Sequence, residues 1–139
     1  MISKIISDEA IFRALAAGAS KAKILGQPSS LAIVDKGANL LGFLRVDDAA
    51  IGTVEIAKNK AYTAAALRLP SGKWLESVQP NGPLYGLERS VSRPFVVFGG
   101  GLPIHDGKAV IGGVGVSGGP VEIDEAIAAA MVAALEDTC

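Results

Sequence analysis

The chain has 139 residues, half of them apolar, with 13 Lys and Arg against 14 Asp and Glu and a formal net charge of −1. That length supports one core and little more, the apolar content excludes disorder, and the near-neutral balance excludes an electrostatic nucleic-acid surface. No apolar run reaches the roughly 18 residues that a bilayer crossing needs. The N-terminus MISKIISDEA lacks a signal-peptide core, and the single cysteine is Cys139, which excludes an internal disulfide and a cysteine metal cluster. The expectation is one domain over residues 1–139, cytoplasmic, with no membrane or nucleic-acid partner.

In chain order, Ser7 or Asp8 can cap a first helix. Its apolar residues Ile11, Leu15, Ala19 and Ala22 recur at helical spacing, and Gly26 and Pro28 end it. Leu31–Val34 and Leu40–Val46 read as strands joined by a turn over Lys36–Asn39. Ala50–Leu67 reads as a second helix with Ile51, Val54, Ala57, Ala61 and Ala64 in one stripe. Leu69–Pro94 carries too many prolines and glycines for a long regular element, so it is expected as loop with one or two short helical turns. Phe95–Leu102 and Lys108–Val116 complete the strands. Pro120 suits the first turn of a last helix that buries Ile123, Ile127, Met131 and Leu135. Hairpins separated by helices argue for an α+β fold, an antiparallel sheet with helices packed on it.

The most informative stretch is Phe98–Gly119, FGGGLPIHDGKAVIGGVGVSGG. Asp106-Gly107 is a hairpin signal, because a tight turn needs the positive φ that glycine adopts without penalty. Glycines within the flanking runs leave room for a ligand or another chain against the sheet. These blocks, followed by Asp124 and Glu125 opening an Ala-rich helix, resemble the GlcG/HbpS family, which includes the PduO C-terminal-like domains. The segments AIVDKGANLLGFLRVDDA and AKNKAYTAAAL carry the resemblance upstream, and VQPNGPLYGLE resembles the subgroup found beside diol and glycerol dehydratase genes. The resemblance implies a profilin-like fold, an oligomer, and a small or planar ligand such as haem or a corrinoid. A role that requires no cofactor stays open.

Chemistry-bearing residues are few. With one histidine, His105, a multi-histidine metal site cannot be assembled within one chain, and no metal ligand set is expected. His105 reads either as an exposed turn residue or as a titratable group at a pocket mouth. The resemblance sets Lys60 on the family's KA motif. A desolvated lysine there would bind a carboxylate or haem propionate, act as an amine or base, or be a structural lysine paired internally. Arg45 suits a ligand carboxylate or an internal ion pair with Asp35 or Asp47. Asp124 and Glu125 are explained by the helix dipole. Gly99-Gly100-Gly101 and the Gly113 run lack P-loop and dinucleotide context, and read either as amide donors to a ligand or as tight packing. Trp74, Leu84, Tyr85 and Tyr62 are candidates for a pocket wall or a subunit contact.

The expected site is a pocket between the second helix and the Gly-rich hairpin, lined by Lys60, Gly99, Gly100, Gly101, Leu102 and His105, with Arg45 nearby. Two function classes follow. One is a homo-oligomeric small-ligand-binding or accessory protein. The other is a cofactor-free isomerase, tautomerase or lyase acting on a small carboxylated or carbonyl compound, with Lys60, His105 or Tyr85 moving a proton.

Overall fold

Ser7 accepts a hydrogen bond from the Ala10 amide and opens helix α1, Asp8–Ile24; the computed structural model describes residues 5–136. Strands β1 (Ser30–Asp35) and β2 (Leu40–Arg45) follow, then helix α2 (Gly52–Leu67), strands β3 (Gly101–Asp106) and β4 (Ala109–Ser117), and helix α3 (Val121–Glu136). The sheet runs in the order β2-β1-β4-β3, and every pairing is antiparallel. The fold is α+β, as the sequence implies. Its turn chemistry is local. Asp35 Oδ1 accepts from the Gly37 and Asn39 amides, both at 2.9 Å, and so closes the β1–β2 turn.

The sheet separates two unequal cores. On one face, Ile11 and Ala14 of α1 and Ile127, Met131 and Leu135 of α3 pack on Leu31, Ile33, Val114, Val116 and Ile104. On the other face α2 lays Ala57, Ala61 and Ala65 on Ala32 and Val34. Small residues fix how close α2 lies. A Cβ on Gly113 would come 2.5 Å from the Ala61 carbonyl oxygen, and one on Gly115 would press still harder on that of Ala57. Helix backbone and strand backbone thus touch directly, which only glycine on the strand permits.

Three sequence expectations need correction. The second helix begins at Gly52 rather than Ala50, and Ile51 stands outside it at 76% exposure. Residues 95–100 are not strand. There the Val96 amide donates to Thr63 Oγ1 at 2.9 Å and the Phe98 carbonyl accepts from Ser71 Oγ at 2.7 Å, so side chains take the groups a ladder would use. Gly100, at φ +124°, then turns the chain so that pairing starts only at Gly101. The hairpin is present, but its turn residues are Gly107 and Lys108, since Asp106 already pairs with Ala109. The connection from 68 to 100 holds short 3-10 turns at Ser71–Trp74 and Leu87–Arg89 and a satellite core. In it Val78, Phe95 and Val97 gather Tyr62, Trp74 and Leu87, with Tyr62 stacked on Phe95 at 5.3 Å.

Close packing of α2 on β4 predicts that Gly115→Ala destabilises by about 3 kcal/mol, the upper end of overpacking costs. Gly107→Ala, where nothing lies within 4 Å and only the φ of +62° is strained, should cost about 1 kcal/mol. Urea denaturation of both variants checks the ranking, and equal losses would contradict the close approach.

Candidate functional site

Lys60 sits in the middle of α2 on the sheet-facing side and is fully buried. Its Nζ donates to Asp124 Oδ2 at 3.0 Å and to the Val116 carbonyl at 2.8 Å, and lies 5.0 Å from the Phe98 ring centroid. Asp124, in the first turn of α3, is also buried, and its Oδ1 accepts from Gln27 Nε2 at 2.8 Å. α2 and α3 cover opposite faces of the sheet, so this ion pair crosses between the layers at the end of β4. Both charges are out of water, and each is compensated by its partner and by further hydrogen bonds. Burial pulls the Lys60 pKa below the usual lysine value, and the Asp124 carboxylate, first by its charge and then by its hydrogen bond, opposes that shift.

The Gly99–Gly101 tract is built around this pair. A Cβ on Gly100 would come 2.6 Å from Lys60 Nζ, and one on Gly101 would strike the Lys60 carbonyl. One on Gly99 would come 2.5 Å from Glu125 Oε2. The room these glycines leave toward α2 is filled by α2 and its lysine. The open space adjoining the tract lies on its other side, a cleft of about 520 Å³ lined by Pro70, Gly72, Lys73, Leu75, Phe98, Gly99, Val121, Glu122 and Glu125. Phe98 separates the two regions. Lys60 Nζ lies by its ring inside, while the side chain, 39% exposed, lines the cleft outside.

The other sequence candidates lie elsewhere. Arg45 donates to Asp48 Oδ1 at 3.1 Å and to the Ala49 carbonyl at 2.9 Å, on the edge strand at the far side of the sheet from β3. Its acid is Asp48; Asp35 closes the β1–β2 turn and Asp47 pairs with Lys23 at 3.1 Å. Leu102, half-buried, packs on the core shared by α1 and α3. His105 is four residues along β3 from Gly101, about 13 Å at strand rise. Its amide donates to Glu136 Oε2 at 3.0 Å and its Nδ1 is 4.0 Å from the same oxygen. Tyr85 is 63% exposed on the connection and lines neither the Phe98 cleft nor the hollow beside His105. Lys60 and the glycines therefore come together, whereas Arg45, His105 and Tyr85 do not join them.

The sequence reading missed Asp124 as a partner of Lys60, because a helix-dipole role already accounted for an acid at that position. It also missed Phe98 and Lys73. Among the described residues no group of three or more His, Cys, Asp or Glu side chains is placed to hold a metal, and Cys139 lies outside the described residues. No helix there is long and apolar enough to cross a membrane.

The sequence model of the family described as "Haem degrading protein HbpS-like" matches residues 6–133. The chain is 44% identical over 109 residues to an uncharacterized 15.0 kDa protein in the dhaT-dhaS intergenic region of Citrobacter freundii, covering 78% of this chain and 77% of that one. It is 36% identical over 119 residues to the corrinoid adenosyltransferase PduO of the same organism, covering 86% of this chain but only 36% of that longer protein. In three dimensions it matches the crystal structure of the PduOC:haem complex with a TM-score of 0.90 at 34% identity, over 94% of this chain and 95% of that one.

Breaking the buried pair from one side should be costly. Lys60→Met leaves Asp124 uncompensated and should destabilise by about 3–5 kcal/mol, while Lys60→Met/Asp124→Leu should recover most of the loss. The native pKa of Lys60 is lowered, so the unfolded chain holds the proton more tightly in the window below the usual lysine value of 10.5. The burial cost is thus fully present below the native pKa and fades as pH rises from there toward the usual lysine value of 10.5. The stability of the wild type relative to Lys60→Met should therefore increase with pH across this alkaline window. Denaturation midpoints between neutral pH and pH 10 check it, and a difference that falls with pH would contradict the burial of a charged lysine.

Proposed function

The chain belongs to the HbpS-like family of haem-degrading proteins, and from that membership we propose that it is a cytoplasmic small-ligand-binding or accessory protein that takes a planar organic anion in the Phe98 cleft. The observation that carries this reading is the match, over nearly the whole chain, to the PduOC:haem complex. The cleft supports it in kind. Its roughly 520 Å³ is in the range of small-ligand sites. Phe98 offers a ring for stacking, Pro70, Leu75 and Val121 supply apolar wall, and Lys73 offers a cation for a carboxylate.

Haem and corrinoids are the ligand class this implies. The cleft residues fit the planar ring and an acidic edge of such a ligand. They do not fit an imidazole-ligated metal, because the one histidine is His105, toward the other end of β3. The reading is therefore of a ring-binding site without histidine ligation, and Lys60 contributes by holding Phe98 and the Gly99–Gly101 tract in place. Enzyme action through Lys60 has less support, since its ammonium is enclosed and fully partnered by Asp124 and Val116.

Titrating haemin into the full chain, read by the Soret band and by Trp74 fluorescence, tests this. Binding near one equivalent is expected. Phe98→Ala should weaken it by about tenfold, the scale of an aromatic contact, and His105→Ala should leave it unchanged. Loss of binding in His105→Ala with no change in Phe98→Ala would overturn the assignment of the cleft.

The proposal includes a homo-oligomer. Edge strand β2 exposes Leu40, Leu41 and Leu44 beside Phe12, itself 72% exposed, and carries no charge before Arg45. An apolar, uncharged sheet edge is a surface that pairs with another chain. Light scattering should return a multiple of the monomer mass at micromolar concentration, and Leu41→Lys/Leu44→Lys should lower it. A monomer mass for the wild type would contradict this.

A further inference from the structure

Away from the cleft and from the Lys60–Asp124 pair, the far end of the sheet gathers cations from three separate parts of the chain. Lys36 comes from the β1–β2 turn, Arg68 from the C-terminal cap of α2, and Lys108 from the β3–β4 turn. Together with His105, Ala109 and Val110 they line one open hollow of about 260 Å³. Among the described residues none of the three cations takes part in an ion pair, whereas Lys23, Arg45 and Lys60 each have an acid at 3.0–3.1 Å. Placing three positive charges around one hollow is unfavourable unless an anion offsets their repulsion.

The backbone supplies a second, independent observation. Arg68 caps α2 in the left-handed region, at φ 63° and ψ 26°, with its amide donating to the Ala64 carbonyl at 2.9 Å. That capping position is usually glycine, which makes the same hydrogen bond without strain. Arginine here gives up stability at a position that lines the hollow. A strained residue whose side chain joins a charge cluster points to function at that cluster.

We propose that this hollow is a binding site for a small polyanion, a ligand carrying two or more phosphate or carboxylate groups. Arg68 supplies a planar two-point contact, and Lys36 and Lys108 supply point charges. Ala109 and Val110 add apolar lining. The site is separate from the Phe98 cleft, so either can fail alone.

Isothermal titration calorimetry on the full chain at low salt tests this with two probes, inorganic tripolyphosphate and citrate. At least one should bind at one site per chain, and the stronger of the two identifies phosphate or carboxylate as the recognised group. Arg68→Ala and Lys108→Ala should each weaken binding of that probe by about tenfold, the loss of one charge-assisted contact. Arg13→Ala, on the exposed side of α1, should leave it unchanged. Arg68→Gly should weaken binding while raising Tm by a few degrees, because glycine relieves the cap. A weakening in Arg13→Ala equal to that in Arg68→Ala would reduce the effect to general surface charge and overturn the proposal. So would no binding of either probe, or a Tm for Arg68→Gly at or below wild type.

Discussion

Lys60 leaves α2 on one face of the sheet, Asp124 leaves α3 on the other, and the two meet out of water at the end of β4. Isolated, either charge would be several kcal/mol too costly to bury, so neither can be enclosed between the layers without the other in register. Much of the local architecture follows from that requirement. Val116 directs its carbonyl to the ammonium, Gln27 braces the second carboxylate oxygen, and Gly100 and Gly101 give up side chains so that the lysine and its backbone fit. The same requirement fixes the start of β3, because Gly100 must turn over the lysine before strand pairing begins.

The clamp and the cleft are coupled through one side chain. Phe98 is held by cation–π contact from below and by the Ser71 bond to its carbonyl, and its side chain forms part of the cleft wall. A surface aromatic with a fixed orientation presents a flat face at little entropic cost, which suits a planar ligand. Glu122 and Glu125 keep the rim acidic, so a ligand there would turn its carboxylates toward Lys73.

Local chemistry was legible in the sequence wherever a few adjacent residues decide the outcome. Ser7 as a cap, Asp35 bracing its turn, Pro120 before α3 and the two hairpins all behave as their side chains require. Errors arose where distant partners override local preference. Phe95–Gly100 has strand-forming residues, yet Thr63 and Ser71 claim its backbone groups. The glycines of β4 left open either room for a ligand or close sheet–helix packing, and α2, packed directly on them, decides for the second. Lys60 was identifiable as the lysine of a small-residue helix that falls on the family's KA motif, but its role depends on Asp124, 64 residues later, and periodicity carries no information about that pairing. The mutual remoteness of Arg45, His105 and Lys60 follows from strand order, which spacing along the chain does not disclose.

The central claim is that Lys60 is an enclosed ammonium bound to Asp124. Nitrogen-15 NMR of the lysine side chains reads this directly as a function of pH. One Nζ signal should be slow to exchange its protons with water, should titrate below the other lysines, and should disappear in Lys60→Met. If every lysine signal exchanges rapidly and titrates together in the usual range, the ammonium is solvated and the clamp between the layers does not exist.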